Sequence, residues 1–254
     1  MHVHGTLETN LKRLRMPAML ENLNIRLKEA EETNLGFLEL LALLVQDEID
    51  SRESNNLNKR LKLGGFSPRM TFETYDFRFN AAAISPATVR DLATCKFIRD
   101  GRSLVLCGPP GIGKTHISQA LGHEVCRRGG DALFIKTQRL LEDLSNTLYP
   151  RRCARLWKQL RRVELLILDD FGFRRYEQQE AEILYSLADV RMNSASTIIT
   201  SNRPPQDWYG VFPDPVIGGA ILDRMVSPAI KIIVEKAESY RKLSSYEFPL
   251  DKQS

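Results

Sequence analysis

Leu104-Val105-Leu106-Cys107-Gly108-Pro109-Pro110-Gly111-Ile112-Gly113-Lys114-Thr115 is the stretch on which the fold of this chain turns. Its first four residues are apolar and read as a buried strand. From Gly108 to Thr115 every fixed position of G-x-x-x-x-G-K-[ST] is filled. A polyphosphate needs several backbone N–H groups aimed at one small volume, and a loop free of Cβ crowding supplies them. Gly108, Gly111 and Gly113 allow that approach, while Pro109 and Pro110 stiffen the front of the loop. Thr115 and the residues after it, from His116 to Leu121, read as a helix whose N-terminus faces the phosphates. Lys114 then reaches the β- and γ-phosphates, and the Thr115 hydroxyl is placed for Mg²⁺.

A second stretch completes the pattern. Leu165-Leu166-Ile167-Leu168-Asp169-Asp170 reads as a strand buried on both faces with two carboxylates at its C-terminal end, where open α/β sheets hold their ligands. Asp169 is the expected Mg²⁺ partner of Thr115, and Asp170 the residue that polarises an attacking water. A third strand, Ser196 to Thr200, runs into Ser201-Asn202-Arg203-Pro204. Asn202 is placed there to hydrogen-bond the water or the γ-phosphate; an Asx turn before Pro204 is the bland alternative.

Around this centre, further strands are expected at Ala132–Ile135 and Ile230–Ile233. Helices are expected at 89–99, 137–148, 177–192 and 216–225. Upstream, residues 6 to about 63 read as helical. Pro17 suits a first turn, and Thr33 or Asn34 can cap a second helix from about Gly36. Leu40-Leu41-Ala42-Leu43-Leu44-Val45 is apolar on every face, which implies burial against several neighbours or contact with another protein. Residues 64–80, with Phe66, Phe72, Tyr75, Phe77 and Phe79, form an aromatic linker expected to lie against the second domain. The organisation read from sequence is thus a helical domain at 1–63, a linker at 64–80 and a nucleotide domain at 81–254.

Bulk properties limit the alternatives. The chain has 254 residues, 43% hydrophobic content and a net charge of +4. No stretch is apolar enough to span a bilayer and Met1-His2-Val3-His4-Gly5 carries no signal core, so a cytoplasmic protein without a membrane partner is expected. Cys95, Cys107, Cys126 and Cys153 form no metal-ligand spacing and read as free thiols. The charge is local: Arg151, Arg152, Arg155, Lys158, Arg161 and Arg162 stand within residues 151–162 with no acid among them. Most charge runs are solvated helix faces, but those usually mix signs to gain i,i+4 pairs. Six bases without an acid point to nucleic-acid phosphates.

Gly-Pro-Pro-Gly-Ile-Gly-Lys-Thr-His, Leu-Leu-Ile-Leu-Asp-Asp-Phe-Gly, Ile-Ile-Thr-Ser-Asn-Arg-Pro, Ile-Leu-Asp-Arg-Met and Glu-Ser-Tyr-Arg-Lys occur in that order. The series resembles the IstB family, ATPase helpers of insertion-sequence transposition close to the DnaC helicase loaders. The resemblance implies an α/β AAA+ P-loop NTPase fold with a five-stranded parallel sheet, preceded by a small all-α domain. It implies ATP and Mg²⁺ as cofactors, ATP-dependent homo-oligomers on double-stranded DNA, bending of that DNA, and recruitment of a transposase that stimulates slow hydrolysis. Lys114, Thr115, Asp169, Asp170 and Asn202 carry over as the nucleotide site. Arg224 matches the finger that reaches a neighbour's γ-phosphate, and Arg241 lies in a second basic motif that can share the role. Residues 138–162 fall where loaders insert a helical element facing DNA. Asp170 departs from the commoner Glu. A helicase loader preferring single-stranded DNA, a P-loop kinase for a small molecule and an architectural DNA binder are the competing readings.

Overall fold

The computed structural model describes residues 2–192 and 194–240. The chain divides into two compact units, residues 1–59 and 60–254.

The first unit consists of α1 (His2–Arg13), α2 (Pro17–Thr33) and the greater part of α3 (Phe37–Leu63). Pro17 occupies the first turn of α2, where its missing N–H is no loss. The next two amides, Ala18 and Met19, donate to Oε2 of the buried Glu48 at 2.9 and 3.3 Å. A carboxylate from α3 therefore caps α2, satisfying orphan donors and the positive end of its dipole. Leu11, Met19, Leu23 and Leu44 form the small core of this unit. Two expectations change here. Asn34 does not open the next helix: it ends α2 in the left-handed conformation, and its N–H returns to Ala30 O. The run from Leu40 to Val45 is not buried all round either. Among the apolar residues of α3 only Leu44 is buried, while Leu38, Leu41, Val45 and Ile49 are exposed along one stripe. The two other helices of this unit cannot surround a helix that is apolar on every face.

In the second unit, α4 (Pro86–Ala93) and α5 (Lys96–Arg99) replace the single helix expected over 89–99; the chain breaks at Cys95, which has φ 54°. Then follow β1 (Leu104–Cys107), α6 (Lys114–Arg127), β2 (Ala132–Lys136), α7 (Thr137–Ser145), α8 (Pro150–Arg162), β3 (Leu165–Asp169), α9 (Gln178–Arg191), β4 (Ser196–Ser201), a 3₁₀ turn at Pro205–Val211, α10 (Pro215–Met225) and β5 (Ile230–Ile233). The five strands form one parallel sheet in the order β2-β3-β4-β1-β5. β1, β3 and β4 are buried along their whole length, as continuous apolar runs covered on both faces require. This order sets the site: β4 lies between β1 and β3, so the residues after β4 emerge between the phosphate loop and the Asp169 end of β3.

Two interior contacts hold the flanking segments. The Phe66 ring fills the space a Cβ would need at Gly122, and Ser67 N–H donates to Gln119 Oε1 at 2.9 Å, so the start of the linker is docked on α6. Glycine in a helix interior costs about 1 kcal/mol relative to alanine, and close approach of the ring is its physical reason here. Arg191 is buried with no carboxylate bound to it among the described residues. Its guanidinium donates to Leu160 O, Val163 O, Ser196 O and Thr197 Oγ1 over 2.6–3.1 Å. It thereby caps the C-terminal end of α8, where carbonyls lack helical partners, and ties that end to β4.

Candidate functional site

The loop between β1 and α6 needs left-handed backbone at Gly111 (φ 84°) and Gly113 (φ 95°), which explains glycine at both places. Ile112 points into the core and anchors the loop, being 1% exposed. Lys114 and Thr115 open α6 beneath it. Lys114 Nζ lies 2.7 Å from Gly108 O, 2.9 Å from Pro109 O and 2.8 Å from Asn202 Oδ1. The ammonium and the Asn202 amide thus reach one small volume at the mouth of the loop, although they stand 88 residues apart in sequence.

Thr115 Oγ1 donates to Asp169 Oδ1 at 2.9 Å, and Thr200 Oγ1 donates to the same oxygen at 2.6 Å. Burial pushes the Asp169 carboxyl above its ordinary range, and the two hydroxyls oppose that shift. Thr200 also accepts the N–H of Asp170 at 3.2 Å, and Thr137 Oγ1 donates to Asp169 O at 3.0 Å. Asp170 itself is left-handed, φ 57°, a conformation that Asp tolerates better than most residues. The bend ends β3, and the Asp170 carboxylate meets Lys136 Nζ at 3.4 Å on the rim.

Lys114, Thr115, Asp170 and Asn202 line a cleft of about 260 Å³ with Pro110, Gly111, Gly113 and His116. Its remaining lining was not foreseen as site residues. Met70, Thr74, Tyr75, Asp76, Phe79 and Tyr240 come from the linker and from the chain after β5. The Tyr75 ring packs edge-on against His116 at 5.3 Å, and His116 Nε2 is bound to Thr71 O at 2.8 Å. A dense aromatic linker was the available signal, since free linkers rarely carry so many rings.

A Thr hydroxyl beside a buried carboxylate fits Mg²⁺, which takes few protein ligands and completes its shell with phosphates and water. Among the described residues no group of three or more His, Cys, Asp or Glu forms a self-sufficient metal site. The cysteines are free, and burial pushes the Cys107 thiol up to about 12 and that of Cys126 to about 11, which disfavours the reactive thiolate.

Arg224 is not part of the cleft. It sits on α10 with its guanidinium 4.8 Å from the Tyr185 ring centroid and 3.7 Å from Asp189 Oδ1. Arg241 lies outside the described residues. The six bases of 151–162 all stand exposed on α8, whose apolar side, centred on Leu160, packs into the core. Acids missing from this segment are supplied by its neighbours: Arg152 pairs with Asp143 at 3.0 Å and Arg162 with Asp131 at 3.7 Å. Arg161 lies over the Trp157 ring. Arg151, Arg155 and Lys158 have no carboxylate partner among the described residues.

The model of the IstB-like ATP-binding protein family matches residues 9–247. A putative ATP-binding protein in an insertion sequence of Mycobacterium tuberculosis is 40% identical over 236 residues, covering 92% of this chain and 93% of its own. The putative ATP-binding protein of insertion sequence IS21 from Pseudomonas aeruginosa is 34% identical over 235 residues, covering 92% and 88%. Among solved structures, the DnaC helicase loader superposes with TM-score 0.55 at 21% identity, over 66% of this chain and 99% of that one. AMPPCP-bound DnaA from Aquifex aeolicus superposes with TM-score 0.56 at 20% identity, over 74% and 58%. The fold is that of an AAA+ P-loop protein, and the chain belongs to the family of IstB-like ATP-binding proteins.

Proposed function

We propose that this protein is an ATP-dependent helper of DNA transposition: it binds ATP and Mg²⁺ in the Lys114 cleft, assembles on duplex DNA, bends it and recruits a transposase. The observation that carries the reading is the convergence of Lys114 on Asn202 at the mouth of the glycine loop and of Thr115 and Thr200 on Asp169 directly behind it.

Lys114 balances charge on the β- and γ-phosphates, and the loop glycines let backbone approach them. Thr115 and Asp169 would hold Mg²⁺, which neutralises phosphate charge. Asp170 orients and polarises the attacking water, Asn202 senses the terminal phosphate, and hydrolysis cleaves the bond between the γ-phosphorus and the β–γ bridging oxygen. Because Asp170 has one methylene less than Glu and Lys136 shares its carboxylate, hydrolysis is slow until a partner rearranges the rim. Arg224 serves a neighbouring copy, which suits its absence from the cleft of its own chain. Assembly then aligns successive α8 helices along the DNA, so that affinity grows by avidity and falls with salt. Bending a short site costs about 1–6 kcal/mol, within reach of many such phosphate contacts.

The test is binding to duplex and to single-stranded DNA, with and without a non-hydrolysable ATP analogue. A transposition helper grips duplex more tightly with the analogue; preference for single strands would favour a helicase loader. Transfer of labelled phosphate to a small molecule, with no DNA effect, would favour a kinase.

A further inference from the structure

After β5 the chain crosses the phosphate loop. Tyr240 N–H donates to Gly111 O at 3.0 Å, and Ser239 fills the space that a Cβ on Gly111 would require. Residues 237–239 belong to no helix or strand, so this strap has no ladder of its own to fix it. It is held instead by one side chain of the linker. Asn80 Nδ2 donates to Glu238 O at 2.8 Å, and Glu238 N–H donates to Asn80 Oδ1 at 3.1 Å. The Asn80 amide therefore imitates a paired strand residue, satisfying both backbone groups of Glu238. Asn80 is left-handed, φ 54°, a conformation that Asn adopts more readily than most residues. The preceding residue completes the clasp: the Phe79 ring meets the Tyr240 ring edge-on, 5.0 Å between centroids at 81°. Both rings line the cleft that contains Lys114 and Asn202.

We propose that Asn80 is a positioning residue for nucleotide binding: its amide pins the 237–240 strap across the phosphate loop and so sets Tyr240 as a wall against which the nucleobase packs. The inference rests on the cleft being a nucleotide site. Lys114 and Asn202 provide for the phosphates, whereas the polarisable surfaces suited to a base are the rings of Tyr75, Phe79 and Tyr240 and the Met70 side chain, and of these rings Tyr75 is already packed on His116. Affinity for the base then depends on a residue that touches no nucleotide. Because the clasp joins linker to strap, occupancy of the cleft is also felt in the linker.

The experiment uses the full chain and three variants. Asn80→Gly keeps the left-handed backbone and removes the amide, Tyr240→Ala removes the wall, and the double variant combines them. Amide hydrogen exchange of residues 234–240 without nucleotide reports the clasp, and calorimetry reports affinity for a non-hydrolysable ATP analogue and for inorganic triphosphate. Asn80→Gly is expected to speed exchange at Glu238 and Tyr240. It is also expected to weaken the ATP analogue about 5-fold, and Tyr240→Ala about 10-fold, with triphosphate affinity within 2-fold in both. The double variant is expected to be no weaker than Tyr240→Ala, since Asn80 acts through Tyr240. Unchanged exchange in Asn80→Gly would overturn the clasp. Faster exchange with unchanged analogue affinity, or additive losses in the double variant, would overturn its role in base binding. A wild-type chain that binds neither analogue nor triphosphate would overturn the nucleotide reading itself and the wall with it, while exchange would still decide whether the clasp exists.

Discussion

The phosphate end of the cleft and the outer face of α8 are both polar, and they are built in opposite ways. Around Asp169 the polar atoms answer one another: Thr115 and Thr200 converge on one carboxylate oxygen, and Asn202 meets Lys114. Most of this cluster is buried, so each group needs a partner within the protein. On α8 the cations are exposed, and four of the six have no carboxylate partner among the described residues. Exposed ion pairs contribute little to stability, so α8 does not depend on pairing. The first region is organised by the fold alone. The second leaves exposed positive charge that the fold does not pair, and its apolar side fixes where that charge points.

That contrast yields tests in which the two regions respond separately. Lys114→Ala removes a charged partner from the cleft; affinity for an ATP analogue, measured by calorimetry, is expected to fall about 100-fold, and nucleotide-dependent assembly to vanish. DNA affinity without nucleotide should be unchanged. The triple reversal R151E/R155E/K158E acts on the other region: duplex affinity is expected to drop at least about 10-fold at moderate salt, with the log–log salt slope shallower by about 0.9 per lost phosphate contact. Nucleotide affinity should stay within 2-fold; if the duplex still binds as before, the DNA path lies elsewhere.

Asp169→Asn isolates the carboxylate. Burial raises the Asp169 pKa in the fold, so its proton is held more tightly in the folded state. The associated stability is present below the ordinary carboxyl pKa and is lost as pH rises through the higher folded value. The neutral amide should therefore not lower the melting temperature at pH 7, and it should flatten the pH dependence just above the ordinary carboxyl range. Mg²⁺ stimulation of nucleotide binding is expected to disappear in the same variant. The smallest effect concerns α8 alone: Arg155→Ala should weaken duplex binding more than Arg152→Ala, by about 2- to 3-fold in a salt titration, because Arg152 is already engaged by Asp143.

The strands and the phosphate loop were legible in the sequence because their signals are local: apolar runs ending in glycine or paired acids, at the spacing of an open α/β sheet. Asn202 was legible as a candidate, since a polar residue ending a buried strand stands beside the acid pair; its bond to Lys114 was not. Other features depend on contacts that no local pattern encodes. The break at Cys95 is a left-handed turn inside an otherwise helical pattern. The exposed stripe on α3 depends on how many helices were available to cover it. Thr200 reads as an ordinary strand residue until β4 is placed beside Asp169, and the Asn80–Glu238 clasp joins residues 158 apart. Arg191 reads as the basic last turn of a helix, yet it is buried as the cap of another.

Duplex affinity of the wild-type chain, measured by fluorescence anisotropy at one fixed salt concentration with and without a non-hydrolysable ATP analogue, tests most directly whether the buried cluster governs the exposed one. If nucleotide at Lys114 controls the grip of α8 on DNA, the analogue should tighten binding about 10-fold or more, and Lys114→Ala should lose that gain. Equal affinity in the two arms would contradict it.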